Sequence, residues 1–195
     1  MIDEHSLAGR LAVDLDAHFE DLVRTFQDRL YGFALRLTGS PQDAEESVQD
    51  TFVRAYRALQ RYPADRIRVL HLKAWLYQIA LNVVRNRVRG MQLKAVALDD
   101  PVANGLTASA KHEQPEPAML ETESEQRLAR ALQALPERYA TAVALRHVQG
   151  LSYAEAAQVL DQPVGTTKSD VHRGLRLLRA ALEPELQLVG EANQT

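Results

Sequence analysis

Donor side chains gather in two stretches of this chain, and both suit the holding of nucleic acid better than they suit catalysis. Between Arg66 and Lys94 stand Arg66, Arg68, Lys73, Arg85, Arg87, Arg89 and Lys94 without one acid among them. Arginine and lysine neutralise phosphates, while an asparagine amide matches the edge of adenine, so Asn82 and Asn86 add a means of reading to a means of holding. Further along, Thr166, Thr167, Lys168 and Ser169 offer hydroxyl, ammonium and backbone N–H donors, and His172, Arg173, Arg176 and Arg179 continue the same side. A third group is acidic: Asp43, Glu45, Glu46, Gln49 and Asp50 crowd the opening turns of one helical stretch. Carboxylates there complement the positive end of the helix dipole and leave a negative outer face.

No constellation of general acid, base and nucleophile accompanies these groups. The six histidines, His5, His18, His71, His112, His147 and His172, show no zinc-site spacing with acids. A Gly-x-x-x-x-Gly-Lys phosphate loop is absent, and a chain without cysteine has neither disulfides nor thiolate ligands. The expectation is a binding protein, not an enzyme, with no cofactor and no metal. Met1 to Asp16 is acidic and lacks the basic-then-apolar order of a signal peptide. No apolar run approaches the roughly 20 residues that span a bilayer, so a cytoplasmic protein without membrane insertion is expected.

The elements that must position these groups are all helices. Phe19, Leu22, Val23, Phe26, Leu30, Phe33, Ala34 and Leu37 step by three and four, and Thr38-Gly39 ends that helix. Ser40-Pro41 opens the next with a capping serine and a proline whose missing N–H costs nothing at the first position. Its buried stripe is Ala44, Val48, Phe52, Ala55, Tyr56 and Leu59, and Ala64 to Leu70 reads as a loop. A third helix from Leu72 to Arg89 turns Trp75, Leu76, Ile79, Ala80, Val83 and Val88 inward and Lys73, Gln78, Asn82, Arg85, Asn86 and Arg89 outward. Trp75 can serve as core or stack on an unpaired base; His71 can stack, meet phosphate or stand in solvent.

From Ala95 to Glu125 the net charge of −3 for the whole chain turns strongly local, with Lys111 set against seven acids. Prolines at 115 and 117 forbid a regular helix there, which makes the stretch a flexible acidic linker. Beyond it, Leu128, Ala131, Leu132 and Leu135 form a helical face stopped by Pro136, and Arg138 to His147 forms a short helix. Ser152-Tyr153-Ala154-Glu155 is a capping box, Asp161-Gln162-Pro163 a turn, and Gly165-Thr166 the start of a last helix that buries Val171, Leu175, Leu178 and Leu182. Two helices across a tight turn make a helix-turn-helix candidate. The expected fold is all-α: two separately folded small domains, 17–94 and 124–184, joined by linker 95–123 and flanked by an extension, 1–16, and a tail, 185–195.

In order along the chain, these pieces resemble the sigma-70 family of bacterial sigma factors, in its extracytoplasmic-function (ECF) group. Arg36-Leu37-Thr38-Gly39-Ser40-Pro41-Gln42-Asp43-Ala44-Glu45-Glu46, continuing to Gln49-Asp50-Thr51-Phe52, looks like the polymerase-binding helices of sigma domain 2. Lys73-Ala74-Trp75-Leu76-Tyr77-Gln78-Ile79-Ala80-Leu81-Asn82 is similar to the helix that melts and reads the minus-10 element. Leu135-Pro136-Glu137-Arg138, Gly150-Leu151-Ser152-Tyr153-Ala154-Glu155-Ala156-Ala157 and Pro163-Val164-Gly165-Thr166-Thr167-Lys168-Ser169 resemble sigma domain 4, the minus-35 reader.

The resemblance implies core RNA polymerase and promoter DNA as partners, with an anti-sigma factor holding the protein silent. It implies polymerase contact through Asp43, Glu46, Gln49, Asp50 and Phe52, and minus-10 contact through Arg66, Arg68, His71, Lys73, Trp75, Gln78, Asn82, Arg85, Asn86 and Arg89, with the loop 63–70 holding a flipped base. It implies minus-35 contact through Ser152, Thr166, Thr167, Lys168, Ser169, His172, Arg173 and Arg176. Asp170 is expected on or beside that reading face, accepting from a cytosine amino group or lowering affinity. A stand-alone helix-turn-helix regulator would differ by binding an operator tightly as the free protein.

Overall fold

The computed structural model describes the backbone of residues 4–98, 128, 130–132 and 134–192, and side chains from 6 to 89 and, within the second stretch, up to 182. Among the described residues there are helices and no strand. The first module comprises α1 (Glu4–Val13), α2 (Leu15–Thr38), α3 (Pro41–Leu59), α4 (Ala64–Arg68) and α5 (Leu72–Leu98). The second contains α6 (Glu137–Val143) prolonged by a π-helical turn (Ala144–Val148), then α7 (Tyr153–Leu160) and α8 (Val164–Ala192). The linker expected over 95–123 lies outside the described residues from 99 onward, as does most of the helix expected from Ser124.

The helix ends follow the local signals. Gly39 closes α2 in the left-handed region at φ 69°, and its N–H reaches Leu35 O at 2.8 Å. Ser40 Oγ accepts from Asp43 N at 3.2 Å with Pro41 opening α3, and Ser152 and Glu155 satisfy one another's backbone N–H groups at the head of α7. Four elements differ from expectation. Residues 64–68 form a short helix where a loop was expected, α5 runs nine residues past Arg89 to Leu98, and α8 continues through the expected tail to Ala192. The expected bare extension contains α1, whose Leu7, Ala8 and Leu11 are buried in the core. Its spacing of three and four is that of an amphipathic helix too short to stand out among acids.

Leu22, Phe26, Leu30 and Phe33 of α2, Phe52, Ala55 and Leu59 of α3 and Leu72, Leu76, Tyr77 and Leu81 of α5 build the main core. A smaller one joins Leu132, Leu135, Val143 and Leu178. Gly174 lets α8 approach α6 closely, since a Cβ there would stand 2.6 Å from Val143 Cγ2. The two domains also pack against one another. Ala144, Leu145, Leu151, Ala156 and Val159 of the second join the main core of the first. The physical reason lies in α5: Tyr77 and Leu81 widen its apolar band beyond what α2 and α3 cover, and the second module covers the remainder. Tyr77 Oη donates to Gln149 Oε1 at 2.5 Å across this seam, and Arg85 Nε lies 3.0 Å from Glu137 Oε1.

Candidate nucleic-acid and polymerase interfaces

The acidic start of α3 is partly neutralised from within. Arg87 of α5, one of the cations grouped above as phosphate-seeking, reaches Asp43 Oδ1 at 3.4 Å and also pairs with Glu46. Its hydrogen bond holds the Glu46 carboxyl below the usual carboxylate range. Burial works against the Arg87 charge, but the two acids more than offset it and raise its pKa. Asp50 accepts from Arg54 Nε at 3.1 Å and from Arg54 Nη2 at 2.8 Å, whereas Gln49 is exposed. Phe52 is not a surface group: it is 8% exposed and meets Phe19 edge-on at 6.4 Å. Its place on the same stripe as Ala55 and Leu59 already marks it as core.

Around α4 and the start of α5, Arg66, Arg68 and His71 are exposed. The Arg66 guanidinium lies 3.7 Å from the centre of the Tyr62 ring, Trp75 tilts against the same ring at 6.1 Å, and Arg68 pairs with Asp65 at 2.7 Å. Arg66, His71, Trp75 and Gln78 line a cleft of about 470 Å³ whose opposite wall is Gln158 and Asp161 of the second module. Trp75 is half-buried, packed on its inner side and open to this cleft on the other. Asn82, Asn86 and Arg89 are exposed along α5. Lys73, Gln78 and Arg85 point toward the second module: Lys73 near Glu155 and Gly150, Gln78 donating to Gln158 O at 3.5 Å, Arg85 on Glu137. Part of the outward side of α5 is therefore covered by α6 and α7.

On α8, Lys168, Ser169, His172, Arg173 and Arg176 are exposed and Thr166 is half-exposed, forming one donor-rich side. Two residues depart from expectation. Thr167 is fully buried, its hydroxyl donating to Pro163 O at 3.3 Å and accepting from Gln162 at 3.1 Å, so it secures the turn and does not face outward. Asp170 is also buried, at 1% exposed, and pairs with Arg138 at 2.7 Å instead of standing on the reading face. Position explains both: 167, 170, 171 and 174 lie on one helical face, and that face packs inward. Ser152 is exposed with its oxygen engaged as the cap of α7. The structure adds a cluster that spacing could not reveal, with Arg146 and Lys168 standing 5.0 and 5.7 Å from the centre of the Tyr153 ring. These three come from three different elements. Among the described residues no three acids or histidines converge as a metal site, and no helix is long and apolar enough to cross a membrane.

Comparison with known proteins places these features in one family. Residues 22–92 match Sigma-70 region 2 and residues 125–178 match Sigma-70, region 4. The chain is 34% identical over 174 residues to the RNA polymerase sigma-H factor of Pseudomonas aeruginosa, covering 87% of this chain and 88% of that protein. It is 33% identical over 175 residues to the ECF RNA polymerase sigma factor SigW of Bacillus subtilis, covering 87% and 90%. Among solved structures it resembles the sigma factor RpoE in complex with the anti-sigma factor NepR from Bartonella quintana, at TM-score 0.67 and 28% identity over 85% of this chain and 96% of that one. Two sigma regions in sequence order, on a chain whose described residues form helices and whose α8 bears an outward row of cations and hydroxyls, make this protein a member of the ECF group of sigma-70 family sigma factors.

Proposed function

We propose that the chain is the promoter-selecting subunit of RNA polymerase, acting by binding and not by catalysis. The observation that carries this reading is the exposed side of α8, where Lys168, Ser169, His172, Arg173 and Arg176 follow directly on the α7 turn. A helix so placed enters the major groove, meets base edges near its start and phosphates farther along. Thr166 adds a donor at that start, while Arg146, Tyr153 and the Ser152 hydroxyl flank it toward the backbone. Arg66, His71, Asn82, Asn86 and Arg89 suit an unpaired minus-10 strand, with Trp75 as the ring on which an extruded base stacks.

In the closed arrangement Lys73, Gln78 and Arg85 face protein. They meet DNA once the modules part, and Arg68 once it leaves Asp65. Asp50 and the half-exposed Glu46 offer polymerase an acidic surface on α3, with the Gln49 amide beside them and Asp43 behind. The boundaries 17–94 and 124–184, with 95–123 as tether, serve this division of labour, and α1 belongs with the first module. The resembling RpoE is in complex with an anti-sigma factor. For this chain a partner of that kind would act by keeping the modules together and α5 covered. The site of action is the cytoplasm, where polymerase and chromosome meet.

The test is reconstitution of the purified chain with core RNA polymerase, followed by transcription from a genomic promoter library. Initiation from a defined set of promoters sharing two spaced elements is expected. A holoenzyme that starts nowhere beyond core polymerase alone overturns the reading.

A further inference from the structure

A carboxylate 1% exposed inside a DNA-reading helix needs compensation, and Asp170 receives it from two other elements. Its Oδ2 accepts from Arg138 Nε at 2.7 Å, at the start of α6, and from Gln162 Nε2 at 3.1 Å, in the turn before α8. The same Gln162 nitrogen donates to Thr167 Oγ1 at 3.1 Å, and that hydroxyl reaches Pro163 O at 3.3 Å. Asp170 Oδ1 is buried without a hydrogen-bond partner, so a single oxygen gathers both ties. One atom thus joins α6, the turn and α8. Its neighbours Lys168, Ser169, His172 and Arg173 all point outward.

We infer that Asp170 is a positioning residue for minus-35 recognition: it never meets DNA, but it sets the angle and the starting register at which α8 presents its outward donors. A reading helix held loosely by even about 1 Å loses the geometry of its contacts. Arg138, with 58% of its side chain exposed, is the surface end of the same tie. The inference rests on α8 being the minus-35 helix, and its test separates the two.

Full-length variants are compared as holoenzymes on a promoter recovered from the library, with its minus-35 element intact or scrambled, across a salt series. Asp170→Ala and Arg138→Met are each expected to weaken the minus-35-dependent part of promoter affinity about 2- to 30-fold, the range for residues that act on a site without touching its ligand. Three readouts that a general loss of structure or a lost phosphate contact would move are expected to stay put: affinity for core polymerase, occupancy of the scrambled template, and the slope of log affinity against log salt. Unchanged minus-35 dependence in both single variants overturns the inference. So does a salt slope lowered by about one in Arg138→Met, because Arg138 would then be a phosphate contact itself. Arg176→Ala is the control: it should lower that slope by about one. If it changes neither slope nor affinity, the reading of α8 fails and this inference with it. If it behaves as expected while Asp170→Ala is silent, only the positioning role falls.

Discussion

Replacing Tyr77 with phenylalanine removes one oxygen from the seam between the modules and should open it. The Tyr77 hydroxyl donates to Gln149 Oε1 at 2.5 Å, with Tyr77 at 0% and Gln149 at 9% exposed. The ring itself stands edge-on to Phe33 at 5.1 Å, a contact that phenylalanine keeps, so the first module retains its packing. Removing one partner of a buried hydrogen bond costs about 1–3 kcal/mol, because the other is left without water or donor. Once the modules part, the Gln149 amide meets water, so the cost falls on the closed state. Such a difference shifts the closed-to-open ratio roughly 5- to 150-fold.

The chain has no cysteine, so Arg57→Cys and Arg173→Cys, both at exposed positions, give two unique labelling sites on opposite modules. Single-molecule energy transfer should show a second population at longer distance in Tyr77→Phe. The free protein should also bind a single-stranded minus-10 oligonucleotide more tightly by a comparable factor, since Lys73, Gln78 and Arg85 are released. An unchanged distance distribution together with unchanged oligonucleotide binding would refute the reasoning, and would mean that apolar burial alone closes the seam.

Gly174→Ala puts a Cβ 2.6 Å from Val143 Cγ2 and 3.1 Å from Tyr139 O, and overpacking of that kind costs about 1–3 kcal/mol; thermal or denaturant melting of the second module should register it. Glu46 titrates below its ordinary value because of Arg87, so its pairing contributes fully above the usual carboxylate range and is lost as pH falls through the lowered value. NMR titration of Glu46 should show this, and Arg87→Ala should return its midpoint upward. At Glu155, burial raises the pKa but the side-chain and backbone hydrogen bonds of Ser152 lower it further, and the net shift is downward. The cap of α7 is accordingly present at neutral pH and weakens once acid protonates Glu155 below its ordinary value; Ser152→Ala should cost about 1 kcal/mol in chemical denaturation at pH 7, and less once Glu155 is protonated.

Most of the long helices, their caps and much of the core were legible because they depend on neighbours along the chain, whereas the short helices α1 and α4 were not. Gly39, the Ser40-Pro41 start and the Ser152 to Glu155 capping box each state a local geometry that needs no distant partner. The outward donors of α8 were legible for the same reason: a period of 3.6 sorts Lys168, His172, Arg173 and Arg176 from Val171 and Leu178. That rule also reads 167 and 170 as inward, yet their polar side chains argued the other way. Only the partners Gln162 and Arg138, the latter 32 residues away, make burial tolerable for Asp170.

Whatever requires two elements to meet was decided by tertiary structure. Arg87 carries the same charge as Arg89, but packing of α3 against α5 gives Arg87 to Asp43 and Glu46 and leaves Arg89 in solvent. The Arg146, Tyr153 and Lys168 cluster and the closed seam at Tyr77 and Gln149 likewise join residues that no periodicity connects. A sequence specifies which face of each helix is apolar; which helix covers that face, and which charges are consumed in doing so, follows from the packing of all of them together.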